Sequence, residues 1–516
     1  MSRVVNSFRN IKISVLFIVL TFLVSFFYRA IFIQSIGDKL VGLTSTIMNM
    51  LGFFNLAELG LSTAISGTLY SALYSNNQKK IIDIVSIFGY LYRIIGFIIL
   101  SAGIVFSFFL PTIFGGAEIG LLEVYVCFFT FLSTSLIGYF ISYRQTVLIA
   151  DQKEYIVTML TNCFIICKQI LQIILLKWII NSYIVLLIIE LLFGISYGFW
   201  INTRVKKYYP WLKTSFSHGK EISKDYKGLF RTIKNLIPHN VSSFIIFQMD
   251  SILIFTFVSL QTVTLYTNYA MILLKLPSLV SGTFRGSVAS VGNLIAEGNK
   301  DQIKKVFMEY NALFFLLGGV ICTCTFFLMK PFITLWLGAE YILDDITFYF
   351  FLFNTYVGFF RQSVSYFITG YVLYKDVWAP ITEAAIKLII SITLGYFWGI
   401  KGIIIGTTVS YLIIIVFWKP YFLFREGIGE KIVVYWKAVI KYIILLAVAI
   451  ICVYPIIYLN ILFEFTNFIY FFINAIILFI SIGGVYWSLM YALDQGARDI
   501  SHRIFGLIKI RASKNK

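Results

Sequence analysis

Five cationic side chains, Arg29, Lys168, Lys275, Arg361 and Lys387, lie inside long apolar runs of this 516-residue sequence, and Arg93 makes a sixth. A lysine or arginine at the centre of a membrane helix costs about 2.5 to 3.5 kcal/mol even on a lenient insertion scale, so six of them cannot all face lipid. Arg29 and Arg93 sit nearer the ends of their runs, where a long side chain can reach the headgroups. The other four lie deeper, and three continue polar stripes at helical spacing. Asn268, Lys275 and Gly282 are one stripe; Asn354, Gly358, Arg361 and Ser365 are a second; Thr161, Lys168 and Gln172 are a third. Ser14, Thr21, Ser25 and Arg29 do the same in the first run. These faces predict a hydrated cavity lined by cations. Such a cavity suits an anion such as phosphate or diphosphate, which arginine binds bidentately, whereas an exporter of cations wants acidic or aromatic linings.

The acids in apolar runs are fewer: Glu58, Glu190 and Asp250, with Glu383 near a boundary. Asp250 shares a stripe with His239 and Ser243 and follows Arg29 by 221 positions. Two readings stand side by side. Either Arg29 and Asp250 pair across the cavity, or Asp250 or Glu58, with His239 on the same stripe as Asp250, binds a coupling proton or sodium ion. No other cofactor is expected. The six cysteines all fall in apolar runs with no histidine beside them, so a zinc site lacks its ligands. No Gly-x-x-x-x-Gly-Lys loop occurs, so the chain has no site of that kind for ATP hydrolysis.

The elements that position these residues follow from composition. Hydrophobic residues make up 59% of the chain and charged ones 13%, too little charge for a soluble surface of this size. Apolar blocks of about 20 residues recur, the length a helix needs to cross a bilayer core. Lipid offers no partner to the backbone, so each block must be helical. We expect an all-α, polytopic membrane protein of about fourteen spans, arranged as two pseudo-symmetric six-helix bundles and two C-terminal helices. The expected divisions are 1–202 for the first bundle, 203–235 for a basic linker, 236–420 for the second bundle, and 421–516 for the last two helices and a basic tail.

With an even number of spans and the N-terminus in the cytoplasm, 32 of the 42 basic residues fall on the cytoplasmic side. Only Lys39, Lys177, Lys330 and Lys401 lie opposite. A multi-pass protein of the cytoplasmic (inner) membrane with both termini inside is therefore expected. The net charge of +18 then belongs beside anionic lipid heads rather than nucleic acid.

Self-similarity at a shift of about 220 residues links the two bundles. Asn76 to Ile81 resembles Asn299 to Lys304; Pro111 to Gly115 resembles Pro331 onward to Gly338; Tyr143 to Val147 resembles Phe360 to Val364. Six spans per repeat make the halves parallel, as in transporters that rock two bundles about a central site.

Tyr28-Arg29-Ala30-Ile31-Phe32-Ile33 with Gly37 resembles the first helix of the polysaccharide flippases. Leu56-Ala57-Glu58-Leu59-Gly60, Met249-Asp250-Ser251-Ile252, and Pro331-Phe332-Ile333 through Trp336-Leu337-Gly338 extend the likeness. This family exports O-antigen (lipopolysaccharide), capsule and teichoic-acid units and belongs to the multidrug, oligosaccharidyl-lipid and polysaccharide exporter superfamily. The resemblance implies a non-enzymatic flippase moving undecaprenyl-diphosphate-linked oligosaccharide by alternating access. Its partners would be membrane lipids and the glycosyltransferases and polymerase of the pathway. Arg29, Glu58 and Asp250 carry over from the matching motifs; Lys168, Lys275 and Arg361 rest on the stripes. A multidrug or cation antiporter of the same superfamily is the alternative. A membrane polymerase or acyltransferase is a third, disfavoured because no large external loop and no His and Asp pair are present.

Overall fold

Asn77 and Asn299 each open a long helix by accepting a hydrogen bond from the backbone amide three residues on, at Lys80 and Gln302. The first sequence echo between the bundles is thus a repeated N-cap, which satisfies an amide that the helix itself cannot. The computed structural model describes residues 3–54, 69–70, 72–73, 75–179, 182–223, 227–284, 287–373, 375–462 and 467–514. Among them there is no strand.

Two compact units divide after Thr264, so the seventh span belongs to the first unit rather than opening the second. The first unit holds α1 (Arg3–Ile36), α2 (Asp38–Phe54), α3 (Gln78–Ser107), α4 (Leu110–Phe114), α5 (Leu121–Phe140), α6 (Thr146–Ala150), α7 (Glu154–Trp178), α8 (Tyr183–Tyr208), α9 (Phe216–Ile222) and α10 (Lys227–Phe257). α11 (Leu260–Leu273) carries the chain into the second unit. There follow α12 (Lys275–Thr283), α13 (Ser287–Glu297), α14 (Lys300–Trp336), α15 (Asp345–Gly370), α16 (Trp378–Trp398), α17 (Ile400–Ser410), α18 (Lys419–Leu423), α19 (Val433–Leu462), α20 (Phe468–Leu493) and α21 (Gln495–Lys514).

Among the described residues, eleven helices are long and apolar enough to cross a membrane. The other three expected spans fall on α2, α10 and α15, whose described apolar stretches are shorter or more polar. The protein is a multi-pass membrane protein. α20 turns Ile469, Phe472, Ile476 and Ile480 outward, each more than half exposed, a surface that lipid covers.

Helices pack closely where small residues allow it. Gly89, Gly96 and Gly103 form a seven-residue stripe on α3, where added Cβ atoms would sit 2.8 Å from Tyr143, 2.8 Å from Phe140 and 2.6 Å from Leu132. In the second unit, Gly406 of α17 lies so close to α16 that a Cβ would come within 3.0 Å of the Lys387 carbonyl.

Three expected continuous spans are interrupted or prolonged. The fourth breaks at Ile141 into α5, a 3-10 turn (Ser142–Gln145) and α6. The eighth breaks at Leu274 between α11 and α12. α14 runs unbroken for 37 residues through Pro331, whereas the matching Pro111 starts the separate α4. The basic tail is itself helical: α21 packs on α14, with Arg503 2.9 Å from the buried Glu309.

Candidate functional site

Within the second unit, α15, α16 and α18 bring charges together. Arg361 comes from α15. Glu383 and Lys387 lie one turn apart on the same face of α16, and Lys419 opens α18. Glu383 is 5% exposed and Lys387 is fully buried. The charges of Arg361, Lys419 and Lys387 all act on the Glu383 carboxyl group. Lys419 also reaches Asp376 at 2.7 Å, and the Trp418 indole donates to the same Asp376 oxygen at 3.2 Å.

Local sequence explains the placement. The helix from Ile400 to Ile428 contains two π-turn stretches, Tyr411–Trp418 and Phe424–Ile428, and Lys419 sits between them. Such widened turns rotate the following side chains out of ordinary helical register and are frequent at functional sites. Lys387 is buried because α17 approaches α16 through glycines just where it lies. Among the described residues, then, Arg361, Lys387 and Lys419 gather near Glu383 and Asp376, a group rich in cations that suits an arriving anion.

Lys275 lies nearby in the chain's architecture but not in this cluster. It opens α12 directly after the break at Leu274 and is exposed. α12 lies along α15: the Pro277 ring meets Gly358, at 3.1 Å from where a Cβ would be, and the Tyr366 hydroxyl donates to the Ser281 carbonyl at 3.0 Å. On the same α15 stripe, the buried Asn354 Oδ1 has no hydrogen-bond partner among the described residues.

The first unit uses its polar stripes differently. Thr21 and Ser25 of α1 bond Asn162 and Gln169 of α7 at 2.8 and 3.0 Å. Gln172 donates to the Leu186 carbonyl, and Thr161 joins Tyr197 and Gln145 in a chain. These groups tie helix to helix, the usual work of polar side chains between membrane helices. Lys168 meets Glu190 at 2.6 Å, both mostly covered. Arg29 is half-buried on α1, and Asp250 is 7% exposed on α10. Glu58 and the side chain of His239 lie outside the described residues. Arg93 is placed over the Phe216 ring of the linker helix α9, 5.3 Å from its centroid.

Ion pairs mark the ends of the helices. Three of the four lysines expected outside the cytoplasm meet acids: Lys39 with Glu118, Lys330 with Asp345 and Lys401 with Asp344. Lys39 holds the Glu118 carboxyl below its usual range through a direct hydrogen bond. Burial works to raise Asp344, but hydrogen bonds from Thr347 and the Lys401 ammonium outweigh it and hold that carboxyl low. At the opposite end of the first unit, Lys153 and Tyr209 both bond Asp151. Burial, followed by the Asp151 contact, raises the Tyr209 phenol.

No family model matches the chain, and no curated protein matches it in sequence. Solved structures do match in fold. A lipid II flippase, MurJ, in an inward closed conformation superposes with a TM-score of 0.64 at 16% identity, covering 92% of this chain and 98% of that one. A multidrug resistance MATE family transporter of the MOP superfamily matches in its inward-facing conformation with a TM-score of 0.55 at 12% identity, over 79% and 94% of the two chains. An outward-facing structure of a multidrug resistance MATE family transporter matches with a TM-score of 0.52 at 13% identity, over 83% and 96%. The chain has the fold of these transporters.

Proposed function

We propose that this protein is a flippase that moves undecaprenyl-diphosphate-linked oligosaccharide, the repeat unit of a surface polysaccharide, across the cytoplasmic membrane by alternating access. The observation that carries the reading is the gathering of Arg361, Lys387 and Lys419 about the buried Glu383. A diphosphate suits a group rich in cations, and Arg361 offers a guanidinium fork to receive it. The fold shared with a lipid II flippase over nearly the whole of both chains supports the same reading.

In this reading the protein catalyses no covalent change, holds no cofactor beyond a coupling proton or sodium ion, and keeps both termini in the cytoplasm. Glycosyltransferases supply its substrate and a polymerase consumes the product. Lys275, exposed at the helix break, and Arg29 are further candidates to meet the substrate; Asp250 and Glu58, with His239, are candidates to couple an ion. The test is translocation of a fluorescent lipid-linked oligosaccharide in proteoliposomes, followed by quenching from outside. Translocation that proceeds equally in wild type and Arg361→Ala removes the cluster from the substrate path; none in either removes the function.

The likeness to multidrug transporters supports a second reading, a drug or cation antiporter. Dye efflux by the same proteoliposomes, with no movement of lipid-linked sugar, would favour it.

A further inference from the structure

At one end of the first unit, the turn between α1 and α2, the segment around α4 and the turn between α10 and α11 enclose a cleft of about 480 Å³. That volume falls in the range of small-ligand pockets, roughly 300 to 1,000 Å³. We infer that this cleft is a saccharide-binding site, taking one or two sugar rings of the exported oligosaccharide. The inference rests on the flippase reading for the identity of the sugar, and on its orientation for placing the cleft outside the cell.

The chemistry of the walls selects the ligand. Lys39 and Glu118 bridge the cleft, so its one cation and one anion already neutralise each other. A phosphate would break that pair and set its own charge beside Glu118. A neutral polyhydroxylated ring leaves the pair intact and uses both partners, the ammonium as donor and the carboxylate as acceptor. Gln261 supplies both kinds of group from one side chain, and its amide makes no other bond among the described residues. The Thr256 hydroxyl adds acceptor positions, since it donates to the Ile252 carbonyl and keeps its lone pairs, whereas the Ser259 oxygen already serves the Thr262 amide and hydroxyl. Beneath them Phe255 offers a ring, held in place by stacking on the buried Phe114 at 4.7 Å. An apolar floor with donors and acceptors around its rim is what a pyranose needs, since one face of the sugar is C–H and its edge is hydroxyl. Glu118 is committed to this arrangement by its backbone, at φ +50°, a left-handed conformation that costs a non-glycine residue.

The test uses the full chain in nanodiscs and saturation-transfer difference NMR with the methyl glycosides of glucose, galactose and N-acetylglucosamine. At least one glycoside should receive saturation at its ring protons. Gln261→Leu and Phe255→Ala should reduce that signal at least five-fold while the melting temperature stays near wild type; if Phe255→Ala does not fold, Thr256→Val takes its place. Lys304→Ala, in the other unit and outside the proposed substrate path, should leave the signal unchanged. No transfer above empty nanodiscs for any of the three sugars overturns the proposal. So does a signal indifferent to the cleft substitutions, or one displaced by inorganic phosphate. Normal polysaccharide export by Arg361→Ala cells alongside intact glycoside binding would instead count against the cluster and leave the cleft standing.

Discussion

Lys168 Nζ on α7 lies 2.6 Å from Glu190 Oε1 on α8, so a cation that the sequence places inside the membrane is neutralised by the neighbouring helix. Removing one partner of a buried pair strands the other, at a cost of about 3 to 5 kcal/mol; partial exposure of both groups here brings the expected loss to about 2. Glu190→Ala should therefore lower the melting temperature in nanodiscs, and the double change Lys168→Met with Glu190→Met should recover most of it. Equal losses in the single and double variants would mean that the pair is not what stabilises this contact.

Arg361 and Lys419 are the half-buried cations of the cluster around Glu383, and Lys419 is engaged by Asp376, so Arg361 is the member open to a ligand. Arg361→Ala should insert normally yet reduce translocation at least ten-fold, the scale of one lost charge-assisted bidentate contact. Arg361→Lys should retain only part of the rate, because an ammonium does not reproduce the fork. Immunoblots of membranes alongside the proteoliposome assay separate lost transport from lost protein.

The linker helix α9 is pressed onto α3. A Cβ on Gly219 would fall 2.1 Å from the Ser86 carbonyl oxygen, a backbone atom that cannot turn aside. Asp83 holds His218 at 2.7 Å, a His and Asp pair that the sequence did not lead us to expect, because the two lie 135 positions apart and only the packing of α9 on α3 joins them. Arg93 covers Phe216. Gly219→Ala should lift the helix, and trypsin should then cut at Lys213 or Lys220 several times faster than in wild type. Arg93→Ala, which removes a cation–π contact worth about 0.5 to 1 kcal/mol at an exposed site, should have a smaller effect in the same direction.

Asp344 caps α15 through the Thr347 amide and hydroxyl and faces Lys401. Its carboxyl is held below the ordinary aspartate value of about 3.9, so the folded state favours the ionised form. The resulting stability is fully present above that value and is lost as pH falls through the lower, folded one. Asp344→Asn should melt below wild type at neutral pH, and the gap should close under acid conditions below about pH 4. A gap that widens with acid would contradict the sign.

How much of this was legible before the fold? Apolar blocks located the spans because length and hydropathy act locally, and the echoed asparagines Asn77 and Asn299 marked two helix starts because capping is local too. The break at Ile141 and the passage of α14 through Pro331 depend on neighbouring helices that fill or replace missing hydrogen bonds, and no local pattern reports them. The site divides the same way. Arg361 and Lys387 stood out as charges in apolar runs. Lys419 did not, since it falls at the edge of a block and is drawn to Asp376 by the π turns before it. The α1 stripe of Thr21 and Ser25 has the spacing of a cavity wall, but spacing does not say whether water or another helix lies opposite; here it is α7.

The unbroken α14 is about 55 Å long at 1.5 Å per residue, well beyond the 30 Å or so of hydrocarbon. Its Lys300 end is clasped by α21 through Glu309 and Arg503 and by Lys305 and Asp499. A rod of that length works as a lever: tipping it by ten degrees about its middle carries each tip through about 5 Å. The C-terminal helix is fastened to the Lys300 end of that rod, so under the alternating access proposed above a probe attached to α21 would read out, from outside the lipid, a swing that begins within it.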